Sequence, residues 1–234
     1  MKFNEIDDRC GFFEEKTSTI QYFFSKKMEG DAFDFVLELG FRKFGIFFFR
    51  YLCPGCGMCN SIRVNVGEFI LSSSQKRVLR KNRDLVFSTS VLSYKDEYYA
   101  LYRKHHESRF GKGKIADMDE FHESFCISPA KSYVTEIRLE EKLIGAGFAD
   151  EGDLSLSSSY FVFDPEFQKR SIGTYSMIKE IQLAHSMGKR YYYPGYCIKG
   201  KKFSDYKSHF RPHQIYLMPE NRWIEEAEFN NMSS

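Results

Sequence analysis

The sequence predicts an α+β protein in two parts, an irregular cysteine-bearing segment over residues 1–90 and a more regular one over 91–234. Two observations carry this expectation. Between Tyr133 and Phe163, apolar runs are separated by the turn signals Glu140-Glu141-Lys142 and Glu151-Gly152-Asp153, the pattern of an antiparallel meander with strands at 133–139, 143–150 and 154–163. Directly afterwards Met177, Ile178, Ile181 and Ala184 recur at helical spacing, Gly188 supplies a C-terminal stop, and 191–195 read as a further strand. With 42% hydrophobic and 28% charged residues there is enough apolar side chain for a core and no dominant repeat, which excludes a collagen, a coiled coil and a wholly disordered chain.

In the first part, 7–14 read as a loop, 31–39 as a helix stopped by Gly40, and 45–52 as an apolar strand. Ile62, Val64 and Val66 alternate with Arg63 and Asn65, which predicts a half-buried strand. One of Ser72, Ser73 and Ser74 caps a basic helix through Leu85, with Val78, Leu79 and Leu85 inward. Residues 96–109 are helical in composition, and 119–125 form a shorter helical piece after the Gly111-Lys112-Gly113 loop. The most apolar stretch, 44–52, is far shorter than the ~20 residues of a membrane span. Met1–Cys10 carries Glu5, Asp7 and Asp8 and no apolar run of a signal peptide, so a cytoplasmic location is expected.

Of six cysteines, Cys53, Cys56 and Cys59 are too closely spaced for a secreted disulfide framework and read as reduced thiols or metal ligands. With Cys10 they make a four-thiolate set suited to a structural zinc or an iron–sulfur cluster. Net charge is only +2, so any nucleic-acid partner must be held by local patches. Three exist: Lys76, Arg77, Arg80, Lys81 and Arg83; Arg103, Lys104, Arg109, Lys112 and Lys114; and Lys199, Lys201, Lys202, Lys207 and Arg211. The alternative for each is a solvated surface.

Three antiparallel strands, a donor-rich turn, a helix and a strand form the core order of the GNAT (N-acetyltransferase-like) fold, in which that turn holds a phosphate-bearing donor. Arg170-x-x-Gly173-x-Tyr175 resembles the acetyltransferase turn, but Tyr175 stands where a small residue admits pyrophosphate, which argues against coenzyme A. Tyr51-Leu-Cys-Pro-Gly-Cys-Gly-Met-Cys59, Ile62-Arg-Val64, Ser72 to Leu85, Arg170-Ser-Ile-Gly-Thr-Tyr175, Gly195-Tyr-Cys-Ile198, and Tyr206-Lys207 with Phe210-Arg-Pro212 together resemble the aminoacyl-tRNA protein transferases of the N-degron pathway. That family includes eukaryotic arginyltransferases and bacterial aspartate/glutamate leucyltransferases, and the likeness runs in order through nearly the whole chain. Three departures are visible: a single thiol in Cys10-Gly-Phe-Phe13, Phe203 in place of a methionine, and Asn60-Ser61 in place of Val-Pro.

The resemblance implies a GNAT-like catalytic domain, aminoacyl-tRNA as donor and a protein N-terminus as acceptor, with no cofactor required for the chemistry. The bacterial chain length points to leucyl-tRNA, and acceptors beginning with Asp or Glu are expected; arginyl transfer, another acceptor, a GNAT acyltransferase with a different carrier, and an inactive RNA-binding module are the alternatives. An aminoacyl ester is already activated, so positioning of an α-amine, with pKa about 7.7–8, and removal of one proton suffice. Candidate bases are Glu136 and Asp150, with Tyr196 as relay; the alternative for Glu136 is an ion pair with Arg138. Arg77, Arg80, Lys81 and Arg170, with the backbone of Ser171, Gly173 and Thr174, are the candidate tRNA contacts. Arg63, Arg138, Lys207 and Arg211 are the candidates to meet an acceptor carboxylate, cross-strand ion pairing being the alternative for Arg63 and Arg138.

Overall fold

A computed structural model describes residues 2–111, 115–218 and 220–232. Lys112, Gly113 and Lys114, of the expected loop and the second basic patch, lie outside them. The chain forms two sheets. Strands β1 (Asn4–Arg9), β2 (Thr17–Phe24), β3 (Arg42–Phe44) and β4 (Phe47–Tyr51) make the smaller one in the order β1-β2-β4-β3, with helix α1 (Gly30–Glu38) between β2 and β3. Phe23, Phe33, Val36, Leu37, Phe41 and Phe48 form its core, to which Tyr193 of the larger sheet also belongs. Residues 7–9 of the expected 7–14 loop thus belong to a strand, β1, while 10–14 lie outside any strand. Every residue of β1 is exposed, so an edge strand held by backbone pairing to β2 leaves no apolar alternation to read.

The larger sheet is mixed, in the order β12-β11-β5-β10-β9-β8-β7-β6. Its strands are β5 (Cys59–Asn65), β6 (Leu85–Val91), β7 (Lys131–Leu139), β8 (Lys142–Glu151), β9 (Ser155–Phe163), β10 (Tyr191–Ile198), β11 (His213–Leu217) and β12 (Arg222–Glu225). The predicted meander is β7-β8-β9, and β10 runs parallel to β9. β5, between β10 and β11, is buried on both faces and not half-exposed as expected, because Val64 packs with Met177 and Ile178 on one side while Arg63 on the other is covered by Glu38 and the Trp223 ring. β5 and all but the last residue of β6 lie within residues 1–90 yet belong to this sheet.

Helix α2 (Ser73–Lys81) opens with a reciprocal cap, Gln75 N–H donating to Ser72 Oγ at 3.3 Å and Ser72 N–H to Gln75 Oε1 at 2.8 Å. It stops at Lys81 and not at Leu85. Asn82 is buried there and donates from Nδ2 to the carbonyls of Val78 and Arg170, each at 2.9 Å, while Leu85 begins β6. Helix α3 (Asp96–Phe110) and α4 (Met118–Phe121), continued by a π-helical turn at His122–Cys126, cover one face around Tyr98, Phe121 and Phe148. Helix α5 (Ile172–Ser186) follows a 3₁₀ turn at Pro165–Arg170 and buries Met177, Ile178, Ile181 and Ala184 as predicted. It closes on Gly188 at φ 69°, where a left-handed conformation costs glycine little. The short α6 (Lys202–Asp205), a 3₁₀ turn at Tyr206–His209, and α7 (Glu226–Met232) complete the described chain.

Candidate active site

The site begins where β9 and β10 part. Their pairing runs only from Tyr191–Ser155 to Tyr193–Ser157, after which Pro194 has no N–H to continue it. Both strands are irregular at that level: β10 shifts register against β5 between Tyr192 and Gly195, and β9 shifts against β8 between Tyr160 and Ser158. The opening holds a cleft of about 260 Å³ lined by Arg42, Lys43, Ser158, Glu180, Tyr192, Tyr196 and Lys207, with Phe12, Phe44, Phe49, Tyr160, Met177 and Phe203 as apolar walls. A second cavity of about 430 Å³ lies at the start of α5, lined by His105, Ser108, Gln168 and Ser171 to Thr174. Arg109, Phe161, Gly173, Phe203 and Tyr206 line both, so the two adjoin.

The cleft is cationic. Arg42 is 5% exposed and clips the parted strands together, its Nη2 donating to the carbonyl of Ser158 at 2.6 Å and of Tyr193 at 3.2 Å. Its Nη1 is buried with no hydrogen-bond partner among the described residues. Lys207 Nζ donates to the carbonyl of Tyr196 at 3.3 Å and stands 3.2 Å from where a Cβ on Gly195 would be, with Arg42 Nη2 at 3.8 Å from the same point. Gly195, at φ 99°, therefore lets two cations approach the chain. Burial, then the charges of Arg42 and Arg109, bring the Lys207 pKa down to about 8.

The predicted residues divide. Of the three catalytic candidates only Tyr196 lines the cleft; burial pushes its phenol well up and its hydroxyl meets the carbonyl of Gly40 at 3.5 Å. Glu136 lies against α3, outside both cavities. Burial opposes its ionisation, but hydrogen bonds from Arg138 Nε (2.8 Å), Lys95 Nζ (2.6 Å) and the Tyr98 hydroxyl outweigh it and bring its pKa down to about 2, which leaves a weak base. Asp150 sits behind the cleft, where Lys43 Nζ at 3.0 Å and the hydroxyls of Ser132, Ser128 and Ser159 occupy its oxygens and hold its pKa down against burial.

Arg170 faces away from the helix-end cavity, donating to Asn82 Oδ1 at 2.9 Å, to the Lys81 carbonyl at 3.1 Å and to Asp84. It ties α5 to the end of α2. The Ser171 N–H is also spent, on the Gln168 carbonyl at 3.1 Å, whereas α5 makes its first turn with Tyr175 N–H on the Ser171 carbonyl and so leaves the amides of 172–174 without intrahelical partners. Ser171, Gly173 and Thr174 line the cavity there. Arg77, Arg80 and Lys81 are exposed on α2, with Lys81 Nζ reaching the Lys169 carbonyl.

Arg63 and Arg138 take the ion-pair alternative. Arg63 reaches Glu38 at 2.5 Å and Gln214 at 2.7 Å, sandwiched over the rings of Tyr191 and Trp223; Arg138 is held by Glu136 and Glu97. Arg211 is exposed and pairs with Glu226 at 2.6 Å. Of the four acceptor candidates, only Lys207 is in the cleft. Sequence reasoning missed Arg42, Glu180 and the role of Arg109, whose Nη2 donates to the Phe203 carbonyl at 3.1 Å.

Cys10, Cys53, Cys56 and Cys59 are partly buried free thiols. Two of them have ordinary contacts: Lys16 Nζ lies 3.7 Å from Cys56 Sγ, and Cys53 Sγ points at the Thr19 carbonyl at 3.8 Å. Cys10, Cys53 and Cys56 all lie close enough to Cys59 to raise its pKa, but among the described residues no group of three or more His, Cys, Asp or Glu side chains has the arrangement of a metal site, so the expected ligands are neighbours without that geometry.

Residues 8–77 match the family model for the N terminus, and 97–217 that for the C terminus, of arginine-tRNA-protein transferase. The chain belongs to that family. An aspartate/glutamate leucyltransferase of Leptospira interrogans is 30% identical over 233 residues, covering 96% of this chain and 91% of its own, and one of Shewanella amazonensis is 33% identical over 217 residues, covering 92% and 90%. Among solved structures, L-PGS from Bacillus licheniformis aligns with a TM-score of 0.47 at 14% identity, over 78% of this chain and 55% of that one. The chain is accordingly an enzyme, an aminoacyl-tRNA–protein transferase. The two cavities meet beside Gly173, Phe203 and Tyr206. No helix among the described residues is long and apolar enough to cross a membrane.

Proposed function

We propose that the protein transfers leucine from leucyl-tRNA to the α-amino group of proteins that begin with Asp or Glu, the activity for which its relatives are named. The observation that carries the acceptor half is the buried, unpartnered Nη1 of Arg42 beside Lys207 in the cleft. A buried donor left unpaired costs about 1–3 kcal/mol, a deficit that a bound carboxylate would remove. The same charges disfavour a guanidinium, while the aromatic walls suit a leucyl side chain; this favours leucine over arginine.

In this reading the fold is GNAT-like, with residues 91–234 as the catalytic unit and 1–90 as a cysteine-bearing unit that lends β5 and β6 to its sheet. The terminal adenosine of the donor lies in the helix-end cavity, its phosphate on the free amides at the start of α5. The exposed Arg77, Arg80 and Lys81 on the neighbouring α2 set the salt dependence of tRNA binding. The amine attacks the ester directly, forming the peptide bond as the ester C–O bond breaks, so no thiol is acylated. The chemistry needs no metal, and zinc or an iron–sulfur cluster on Cys10, Cys53, Cys56 and Cys59 would serve structure alone. The test is transfer of labelled leucine or arginine from charged tRNA to peptides beginning with Asp, Glu, Lys, Arg or Ala. Leucine on Asp and Glu peptides is expected; equal transfer to Lys peptides would remove the cationic acceptor pocket.

A further inference from the structure

We infer that Glu180 is the proton acceptor of the transfer step, with the Tyr192 hydroxyl as its relay; this rests on the transferase reading above. Glu180 lies on the inward face of α5 between Met177 and Ile181, a carboxylate set in an otherwise apolar stripe. It is 1% exposed and lines the cleft together with Tyr192, itself 0% exposed. The Tyr192 hydroxyl donates to Glu180 Oε2 at 2.6 Å, and those of Thr135 and Ser176 to Oε1 at 3.2 and 3.5 Å.

Three features separate it from the other buried carboxylates. Among the described residues that line either cavity it is the one carboxylate. Glu136 and Asp150 are neutralised by lysine and arginine, whereas Glu180 has hydroxyl partners and no ion pair among the described residues. The sheet is also thinned to admit it: a Cβ on Gly147 would stand 2.9 Å from Glu180 Oε1 and 2.4 Å from Thr135 Oγ1. A buried carboxylate without an ion pair holds its proton more strongly than usual, and burial raises the pKa here against the hydroxyls of Tyr192, Ser158, Thr135 and Ser176. The charged and titratable groups around it are Tyr192 on β10, Tyr206 and Lys207 on the turn after α6, Arg42 on β3 and Arg109 on α3.

The amine lone pair forms the C–N bond at the ester carbonyl carbon; a proton leaves that nitrogen for the Tyr192 oxygen as the Tyr192 proton passes to Glu180 Oε2. Collapse of the tetrahedral intermediate breaks the C–O bond to the ribose, and the proton returns from Glu180 by the same hydroxyl to that oxygen. The tRNA leaves with a free terminal hydroxyl and Glu180 is ionised again. General-base help of this kind is worth about 100- to 10,000-fold.

The experiment compares wild type, Glu180→Gln and Tyr192→Phe in leucine transfer from leucyl-tRNA to an Asp peptide. Gln keeps the size and an acceptor for Tyr192, so kcat should fall by about 100- to 10,000-fold with peptide KM and tRNA Kd within about threefold. In wild type the acid limb of kcat/KM should bend twice, for the peptide amine and for Glu180; in Glu180→Gln it should bend once. Tyr192→Phe should lower kcat in the same direction, and it decides the matter where Glu180→Gln does not fold. Retention of a third or more of kcat, an unchanged double bend, or a loss of tRNA affinity parallel to the loss of kcat would overturn the inference. Wild-type transfer in the same assay reports separately on the underlying reading.

Discussion

Lys207→Met isolates the charge that the cleft offers an acceptor. Met keeps most of the side-chain volume and removes the ammonium, whose one hydrogen bond among the described residues, to the Tyr196 carbonyl, is long at 3.3 Å. A hydrogen bond to a charged group in such a place contributes about 1.5–3 kcal/mol, so the ratio of kcat/KM for an Asp peptide over its neutral Asn isostere should fall by roughly 10- to 150-fold. The pH dependence gives a second reading. With its pKa down to about 8, through burial first and then Arg42 and Arg109, Lys207 is charged at pH 7 and loses its charge as pH rises through 8. Wild-type Asp-over-Asn selectivity should therefore decline between pH 7 and 9. The α-amine titrates in the same range but cancels in the ratio, since both peptides carry it. In Lys207→Met the ratio should be low and flat. Equal losses on both peptides, or a wild-type ratio that does not move across pH 8, would refute the assignment of Lys207 to the acceptor carboxylate.

Gly147→Ala should destabilise the fold by about 1–3 kcal/mol, read as a lower melting temperature, because the new methyl meets Thr135 Oγ1 and Glu180 Oε1 inside a packed sheet. Arg170→Ala should cost about 1–3 kcal/mol by leaving the buried Asn82 Oδ1 unpaired, while the salt slope of tRNA binding stays unchanged; a flatter slope would return Arg170 to the phosphate contacts. Burial, then the neighbouring Cys53, Cys10 and Cys56, push the Cys59 thiol up to about 12, so at pH 8 it should hold roughly a thousandfold less thiolate than a free cysteine and alkylate correspondingly slowly. Rapid, chelator-sensitive labelling would point to a ligated thiolate instead, since a metal reverses the sign of that shift.

The meander and α5 were legible because their periodicity is written in side chains that the fold buries: Met177, Ile178, Ile181 and Ala184 could serve no other geometry. β1 was not, since six exposed residues paired to β2 by backbone alone carry no apolar pattern. Within the site, Tyr196, Lys207 and Ser171 to Thr174 were reachable as parts of ordered motifs. Glu180 had a local signal that went unused, an acid at helical spacing among core residues, which a buried and hydroxyl-satisfied carboxylate explains. Arg42 had none. In sequence it interrupts an apolar run, and only the parting of β9 and β10, more than a hundred residues away, gives it partners. Arg63 and Arg138 misled for the converse reason: a strand arginine advertises a planar donor pair, but Glu38 and Glu97 come from helices whose docking no local pattern reveals.

The same break in the sheet accounts for both halves of the site. Once Pro194 ends the β9–β10 ladder, the carbonyls of Ser158 and Tyr193 are left facing a gap, and a buried carbonyl without a donor is costly. One nitrogen of Arg42 satisfies both, which fixes the guanidinium in the gap and turns its other nitrogen loose inside the cleft. A lysine could not do this, because an ammonium lacks the planar fork that separates the clip from the free donor. The cation proposed to meet an acidic acceptor is thus held in place by the opening of the sheet itself. The opening itself sets α5, with its free amides and Glu180, beside that cation.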